Sequence, residues 1–424
     1  MISPKIKSYT LGAVIILLLS ACSATEPLPQ YESTGLFNVS LSFDITVNDA
    51  TSTRSPRTLT STDCVQDVND VRIYVFRSES GNDDSSFLLY DAGSKLMKND
   101  AEEVPHIYVD AFEPENNNGF DFNETQSLSL PMKLPKGYYR FLAIGRDDDS
   151  EQQSSRVLNW IPEQTSWTQA IMTNTAEEAV VTEFFSGYAH DPKGAVETLH
   201  IDQDGSFLSE ITLFRAVAGI FLYVENIPEK VESLFDWGTD IKKGNRYEVT
   251  EVAIVGMGFD SSLNLVSRTK ADEFHDFPDA LLGLIRYASI QKTDLNKEIF
   301  NLKPDPAGSF IFPVALSSHS IPETSLTSEE SGPCSLALCF YHGNYPLRLL
   351  PIRMARTTSM HPDEEIEVTD HNLYDIMANH LYCLGNLNKE DGTDNPVDLE
   401  EALRNHKLEI TVVGAWQAIV DIEM

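Results

Sequence analysis

The amino-acid sequence predicts an all-β protein built as two β-sandwich domains in tandem, with few short helices. Three observations carry that prediction: apolar residues recur at every second position, turn clusters punctuate them, and helical spacing is nearly absent. The first is clearest near the amino terminus, where Phe37, Val39, Leu41, Phe43, Ile45 and Val47 alternate with Asn38, Ser40, Ser42, Asp44, Thr46 and Asn48. Successive side chains of an extended chain point to opposite faces, so this pattern is a strand with one face in a core and the other in water. The same signature returns in Val71, Ile73 and Val75, and again across 139–144, 216–224, 249–255, 310–316 and 408–412. Turn-forming clusters such as Asn116-Asn117-Asn118-Gly119 and Asp202-Gln203-Asp204-Gly205 lie between these runs. A parallel α/β sheet would need a helix between successive strands. Helical spacing is confined to 278–290, with Pro278, Leu281, Leu282, Leu284 and Ile285, and to 396–405, with Pro396, Leu399, Ala402 and Leu403. In each, a proline stands near the first turn, where its missing N–H costs nothing.

The order of charges and apolar residues at the start is that of an export signal. Lys5 and Lys7 precede a nine-residue apolar run from Leu11 to Leu19, which ends in Leu19-Ser20-Ala21-Cys22. As a helix that run would measure roughly 14 Å, less than half of the ~30 Å hydrocarbon core a spanning segment must cross. The small Ser20 and Ala21 admit a peptidase, and the Cys22 thiol is a nucleophile able to take a lipid. Residues 1–21 are therefore expected as a lipoprotein signal peptide, with Cys22 the lipidation site and 22–34 a polar tether containing Pro27 and Pro29. The natural division of the remainder falls at the Asp202–Gly205 turn, giving domains of 35–205 and 206–424.

Composition narrows the function. The chain of 424 residues carries a formal charge of −34, and loss of Lys5 and Lys7 with the signal takes the mature protein to −36. A surface so acidic excludes general nucleic-acid binding, which depends on cations displacing counterions from phosphates. Besides Cys22 the chain has Cys64, Cys334, Cys339 and Cys383, too few for a disulfide scaffold in a chain this long. Cys334 and Cys339 read either as a bridge across a tight loop or as buried free thiols.

No catalytic, cofactor or metal motif emerges, and the reading is of a protein that is not an enzyme. Gly256-Met257-Gly258 lacks the third glycine and following helix of a dinucleotide loop and reads as a strand bulge or turn. Asp202 to Ser206 starts like a calcium loop, but Leu213 stands where a bidentate Glu belongs, so an Asx turn is expected. His371 and His380 are nine apart with nothing to converge them, and Trp160, Trp167, Trp237 and Trp416 are scattered, as packing residues are.

Several segments, in order along the chain, resemble the fimbrillin family, the subunits of type V pili. Asp70 to Arg77 (DVRIYVFR) and Leu134 to Gly145 (LPKGYYRFLAIG) resemble its amino-terminal domain. Phe184-Phe185-Ser186-Gly187 and Leu213 to Ile220 (LFRAVAGI) resemble the place where the first sandwich closes and the second opens. Asn379 to Leu384 (NHLYCL), Ile410 to Val413 and Trp416-Gln417 resemble the carboxyl-terminal part. The resemblance implies transthyretin-like sandwiches, export as an outer-membrane lipoprotein, and a role in fimbriae and adhesion at the cell surface. Its implied partners are other fimbrial subunits, the outer membrane through the lipid, and a host or bacterial surface receptor; no cofactor is implied. In that family an arginine-specific protease removes the first strand of polymerising subunits, and a neighbour's strand replaces it.

Physical reading of the sequence gives that implication a mechanism. Six alternating apolar side chains, if buried at about 1.5–3 kcal/mol each, are worth on the order of 10 kcal/mol, comparable to a domain's net stability. A groove vacated by such a strand is one that another strand can fill in register. Arg54 and Arg57 lie just after it, and Arg57 is the better cleavage candidate because Ser55-Pro56 stiffens the chain after Arg54. At the other end, Trp416, Ala418, Val420, Ile422 and Met424 resume the alternation of Leu408–Val412. This end reads as a donated strand or, as expected of a terminal strand, as the final edge of the second sandwich. Two other readings stand beside strand exchange: an uncleaved lipid-bound fimbrial anchor or tip protein, and, from another class, a surface glycan-binding lipoprotein.

Overall fold

The computed structural model describes residues 35–47, 70–90, 107–109, 126–146, 158–159, 166–174, 180–181, 183–257, 259–260, 262–270, 274–275, 281–292, 307–314, 321, 333–354, 373–385, 395–405 and 408–413. Cys22, Arg54, Arg57, the signal and the tether lie outside the described residues, as does 414–424.

The architecture is all-β with few short helices. In chain order the first strands are β1 (Leu36–Val47), β2 (Asp70–Ser78), β3 (Leu88–Leu89), β4 (Ile107–Val109), β5 (Gln126–Pro135) and β6 (Gly137–Arg146). They are followed by β7 (Leu158–Asn159), β8 (Ile171–Asn174), β9 (Val180–Val181), β10 (Phe185–His190), β11 (Leu199–Ile201) and β12 (Gly205–Arg215). The first sheet runs β3-β2-β6-β10-β12-β1-β5, with β11 also on β6 and β4 on β2. It turns over on itself, so that Phe43 of β1 meets Phe141 of β6 edge to face, 5.0 Å between ring centroids. Val39, Leu41 and Ile45 of β1 join Val71, Ile73 and Val75 of β2 in the same core.

The second half contains β13 (Ala218–Leu222), β14 (Val224–Glu225), β15 (Lys230–Glu232), β16 (Arg246–Glu248), β17 (Glu251–Met257), β18 (Phe259–Asp260), β19 (Ser262–Asn264) and β20 (Thr269–Lys270). Then come β21 (Phe274–His275), β22 (Leu284–Gln291), β23 (Ala307–Ile311), β24 (Leu336–His342), β25 (Tyr345–Met354), β26 (Leu381–Leu384), β27 (Val397–Asp398), α1 (Leu399–Asn405) and β28 (Leu408–Val413). Its main sheet runs β22-β17-β24-β25-β28-β26-β13-β23-β9.

Three sequence expectations change here. Residues 206–215, assigned to the second domain, belong to β12 and pair with β1 and β10 in the first sheet. The two halves also interleave: β9 pairs with β23 and β8 with β19, and a third core packs Tyr74, Phe76 and Trp167 with Phe221, Leu263 and Phe310. The expected helix at 278–290 is, from Leu284 on, the strand β22, paired with β17. Its Ile285, Tyr287 and Ile290 suit a pleated surface, and partner hydrogen bonds override a weak 3.6-residue pattern. The terminal strand expected at Trp416–Met424, as a donor or the final edge, lies outside the described residues; β28, which precedes it, is internal to the sheet. It lies between β25, to which it is parallel, and β26, to which it is antiparallel.

The second expected helix does form, as α1, with Asp398 capping it by accepting the Glu401 N–H at 2.8 Å. Leu399 and Ala402 fix its buried face.

Replacing Phe43 by Ala removes a fully buried ring and is expected to cost about 3–5 kcal/mol in urea denaturation. Ser42→Ala, on the opposite face of the same strand, should cost no more than about 1 kcal/mol.

Candidate functional site

The geometry of β1 makes the first strand the candidate site. On one side it pairs antiparallel with β5, from Leu36 opposite Pro135 to Ile45 opposite Gln126. On the other it pairs parallel with β12, from Val39 opposite Gly205 to Val47 opposite Leu213. Among the described residues β5 has no other partner in the sheet. β1 is thus the strand by which β5 is attached, and its departure would open both a groove beside β12 and the pairing edge of β5.

The inward face carries the energy. Val39, Leu41, Phe43 and Ile45 are each no more than 2% exposed, which corresponds to roughly 6–12 kcal/mol of apolar burial. Phe37 packs partly against the same core. Val47 is placed by its backbone pairing alone. So the strand residues singled out from the sequence, Phe37 through Val47, are brought together on one strand, whereas the structure makes no statement on Cys22, Arg54 or Arg57.

The outward face is polar and fixes register. Ser40 and Ser42 each meet Ser129 of β5 at 3.3 Å between hydroxyls, and Ser127 donates to Asp44 Oδ1 at 2.6 Å. Across the parallel side, the Thr46 hydroxyl reaches that of Thr212 at 3.5 Å. A slip by one residue would put these polar groups into the core.

One functional residue was missed from the sequence. Asp204, read as part of an Asx turn, accepts the Asn38 backbone N–H at 2.7 Å and the Asn38 side-chain amide at 3.2 Å. It clamps the beginning of β1 to the beginning of β12. No local pattern signals this, because the two residues are 166 positions apart.

Other features named in the sequence are structural. Cys334 and Cys339 are buried free thiols. The chain between them enters the extended strand β24, and at roughly 3.3 Å per residue it keeps them beyond the ~7 Å Cα limit of a disulfide. Burial pushes the Cys334 thiol up to about 12 and Cys339 higher still, so neither is a nucleophile near neutral pH. Gly256 sits inside β17, where an added Cβ would lie 2.5 Å from the Tyr287 ring; packing, not a nucleotide, explains it. Trp167 is a core residue packed edge on against Phe76, and Trp237 donates its indole N–H to the Pro346 carbonyl.

Segments that carried the family resemblance meet at the junction of the halves. Arg215, 1% exposed, pairs with Glu183 and reaches Asn379 Oδ1 at 3.4 Å, while the Gly219 N–H donates to the His380 carbonyl. No family model matches the chain, and no curated protein matches it. Solved structures do. The chain is similar to the fimbrial anchor protein Mfa2 from Porphyromonas gingivalis, at 11% identity and a TM-score of 0.34, over 74% of this chain and 81% of that one. It is similar also to the tip fimbrial protein Mfa3 of the same organism, with a C-terminal truncation, at 10% identity and 0.32, over 82% and 93%. A candidate cell adhesion protein from Bacteroides eggerthii is similar at 10% identity and 0.36, over 90% and 97%. Identities and TM-scores this low do not carry function across.

Asp204→Ala is expected to speed amide hydrogen exchange at Asn38 by about tenfold, the loss of one hydrogen bond to a charged acceptor. Exchange at Ile45, at the far end of the strand, should change much less.

Proposed function

We propose that this protein is a fimbrial subunit with a structural and adhesive role, exported to the outer membrane as a lipoprotein through Cys22. Assembly is by strand exchange: β1 leaves after cleavage at Arg57, or at Arg54, and a strand from another subunit takes its place. One observation carries the reading: β1 is paired along both edges and fills the core with one face, yet it is the first of the described strands and is followed in the sequence by Arg54 and Arg57. A strand with those properties is removable by a single cut and replaceable by any chain that offers the same alternation. The implied partners are other subunits of the same kind and a receptor on a host or bacterial surface, with no nucleic acid, cofactor or metal.

A second reading, the uncleaved anchor or tip, is favoured by the position of β5. Because β5 pairs with β1 alone among the described residues, a subunit that need not polymerise is more stable keeping its own strand.

Mass spectrometry of the mature amino terminus on cells separates the two. A terminus at Thr58 is expected of the exchanging subunit, and an acylated Cys22 still joined to Val47 is expected of the anchor. If purified full chain treated with an arginine-specific protease stays monomeric and keeps residues 35–47 when challenged with a peptide of that sequence, strand exchange is excluded.

A further inference from the structure

A cleft of about 300 Å³ lies where the first sheet meets the turn after β19. It lies outside the β1 core and meets β1 at the Thr46–Thr212 hydroxyl contact. One wall is made by Ser186 and Tyr188 of β10 and by Thr212 and Phe214 of β12; the other is the turn carrying Leu265, Val266 and Arg268. The turn is built by Asn264, whose Oδ1 accepts the N–H groups of Val266 and Ser267, both at 3.0 Å, and whose carbonyl accepts that of Arg268 at 2.8 Å. This holds Arg268 at a φ of +55°, a conformation that costs a side-chain-bearing residue free energy.

Three properties of the cleft point to a ligand. The Arg268 guanidinium lies over the Phe214 ring, 4.2 Å from its centroid, so its flat face is covered while its N–H edge remains available. In a chain of charge −34 it has no carboxylate partner among the described residues. Ser186 is fully buried, and its hydroxyl has no hydrogen-bond partner although it borders the cleft. Buried hydroxyls are ordinarily satisfied, so one left open at a cavity marks a place for a polar atom. Thr212 adds an acceptor. His190 Nδ1 donates to the Asp191 carbonyl at 2.9 Å, and in the neutral ring Nε2 then accepts from the Thr212 hydroxyl at 2.9 Å. One lone pair of that hydroxyl takes the Thr46 hydroxyl at 3.5 Å, and the other remains for a donor.

A cation with an open edge asks for an anion, and a guanidinium fork fits a carboxylate. The two hydroxyl positions ask for hydroxyl partners. The apolar surface of Leu265 and Val266, with the Tyr188 ring, asks for a C–H face. We propose that the cleft binds a sugar acid, a pyranose bearing a carboxylate, with Arg268 on the carboxylate and Ser186 and Thr212 on ring hydroxyls. The volume is at the small end of ligand sites and suits a single ring.

Calorimetric titration of the full chain in detergent, with glucuronate and N-acetylneuraminate as probes and glucose and acetate as comparisons, tests this. Saturable one-to-one binding of at least one acid is expected, with glucose and acetate at least tenfold weaker. The free acid and an oligosaccharide ending in it are titrated side by side; binding of either supports the proposal, and the tighter identifies the source. Arg268→Gln should weaken binding at least tenfold, whereas Arg246→Gln, whose guanidinium contacts the Lys230 carbonyl elsewhere, should leave it unchanged. Ser186→Ala removes an unpartnered hydroxyl, so its melting temperature should be unchanged or higher while acid binding falls severalfold; a purely structural serine would give neither result. Absence of saturable binding by both acids and by the oligosaccharides ending in them, equal binding by acetate, or full binding by Arg268→Gln and Ser186→Ala would overturn the proposal.

Discussion

The pairing of β1 along both edges is the constraint on which the amino-terminal half depends. It joins β5 to the sheet, continues that sheet into β12, and supplies four of the side chains that fill the core between the two layers. These roles are mechanically inseparable. A strand that can be lost must be one whose place another chain can take completely, and both the main-chain ladder and the alternate side chains of β1 are generic enough to be copied. The parallel side is slightly the weaker of the two ladders per residue. That is where Asp204 stands, fastening the entrance of β1 to the entrance of β12 with a charge-assisted hydrogen bond.

The junction of the halves is held differently. Strands of one half complete sheets of the other, and a mixed aromatic core lies between them. Phe184 and Phe312, one from each half, meet edge to face at 6.2 Å. Arg215 is buried there against Glu183 and Asn379. Removing one partner of such a pair strands a charge in a dry place, which is far more costly than the pair is stabilising. The first strand therefore sits one place in from the sheet edge, beside β5, while the seam behind it is interlocked.

Much of the fold was legible along the chain, and the failures have physical causes. The period of two at β1 is local, fixed by the geometry of an extended backbone, and the structure buries Val39, Leu41, Phe43 and Ile45 as that period requires. β22 was misread because Leu281, Leu282, Leu284 and Ile285 satisfy a helix as well as a buried strand, and only β17 beside them decides. The division at 205 does not follow the sheets, since a turn signal says that the chain reverses and not which sheet it enters next.

By itself, the sequence determined the β class, the polarity of each face of β1, the helical spacing of α1 and the acidic composition, because each is set by the residue types within a few positions. Tertiary structure decided which strands became neighbours, that Asp204 would hold Asn38, that two cysteines five residues apart would point into a core without meeting, and that Arg268, Ser186 and Thr212 would face one cleft. These are juxtapositions of residues tens to hundreds of positions apart or, for the cysteines, of an extended backbone that keeps neighbours separate. Such distances are set by hydrogen-bonded register and packing, which no local pattern encodes.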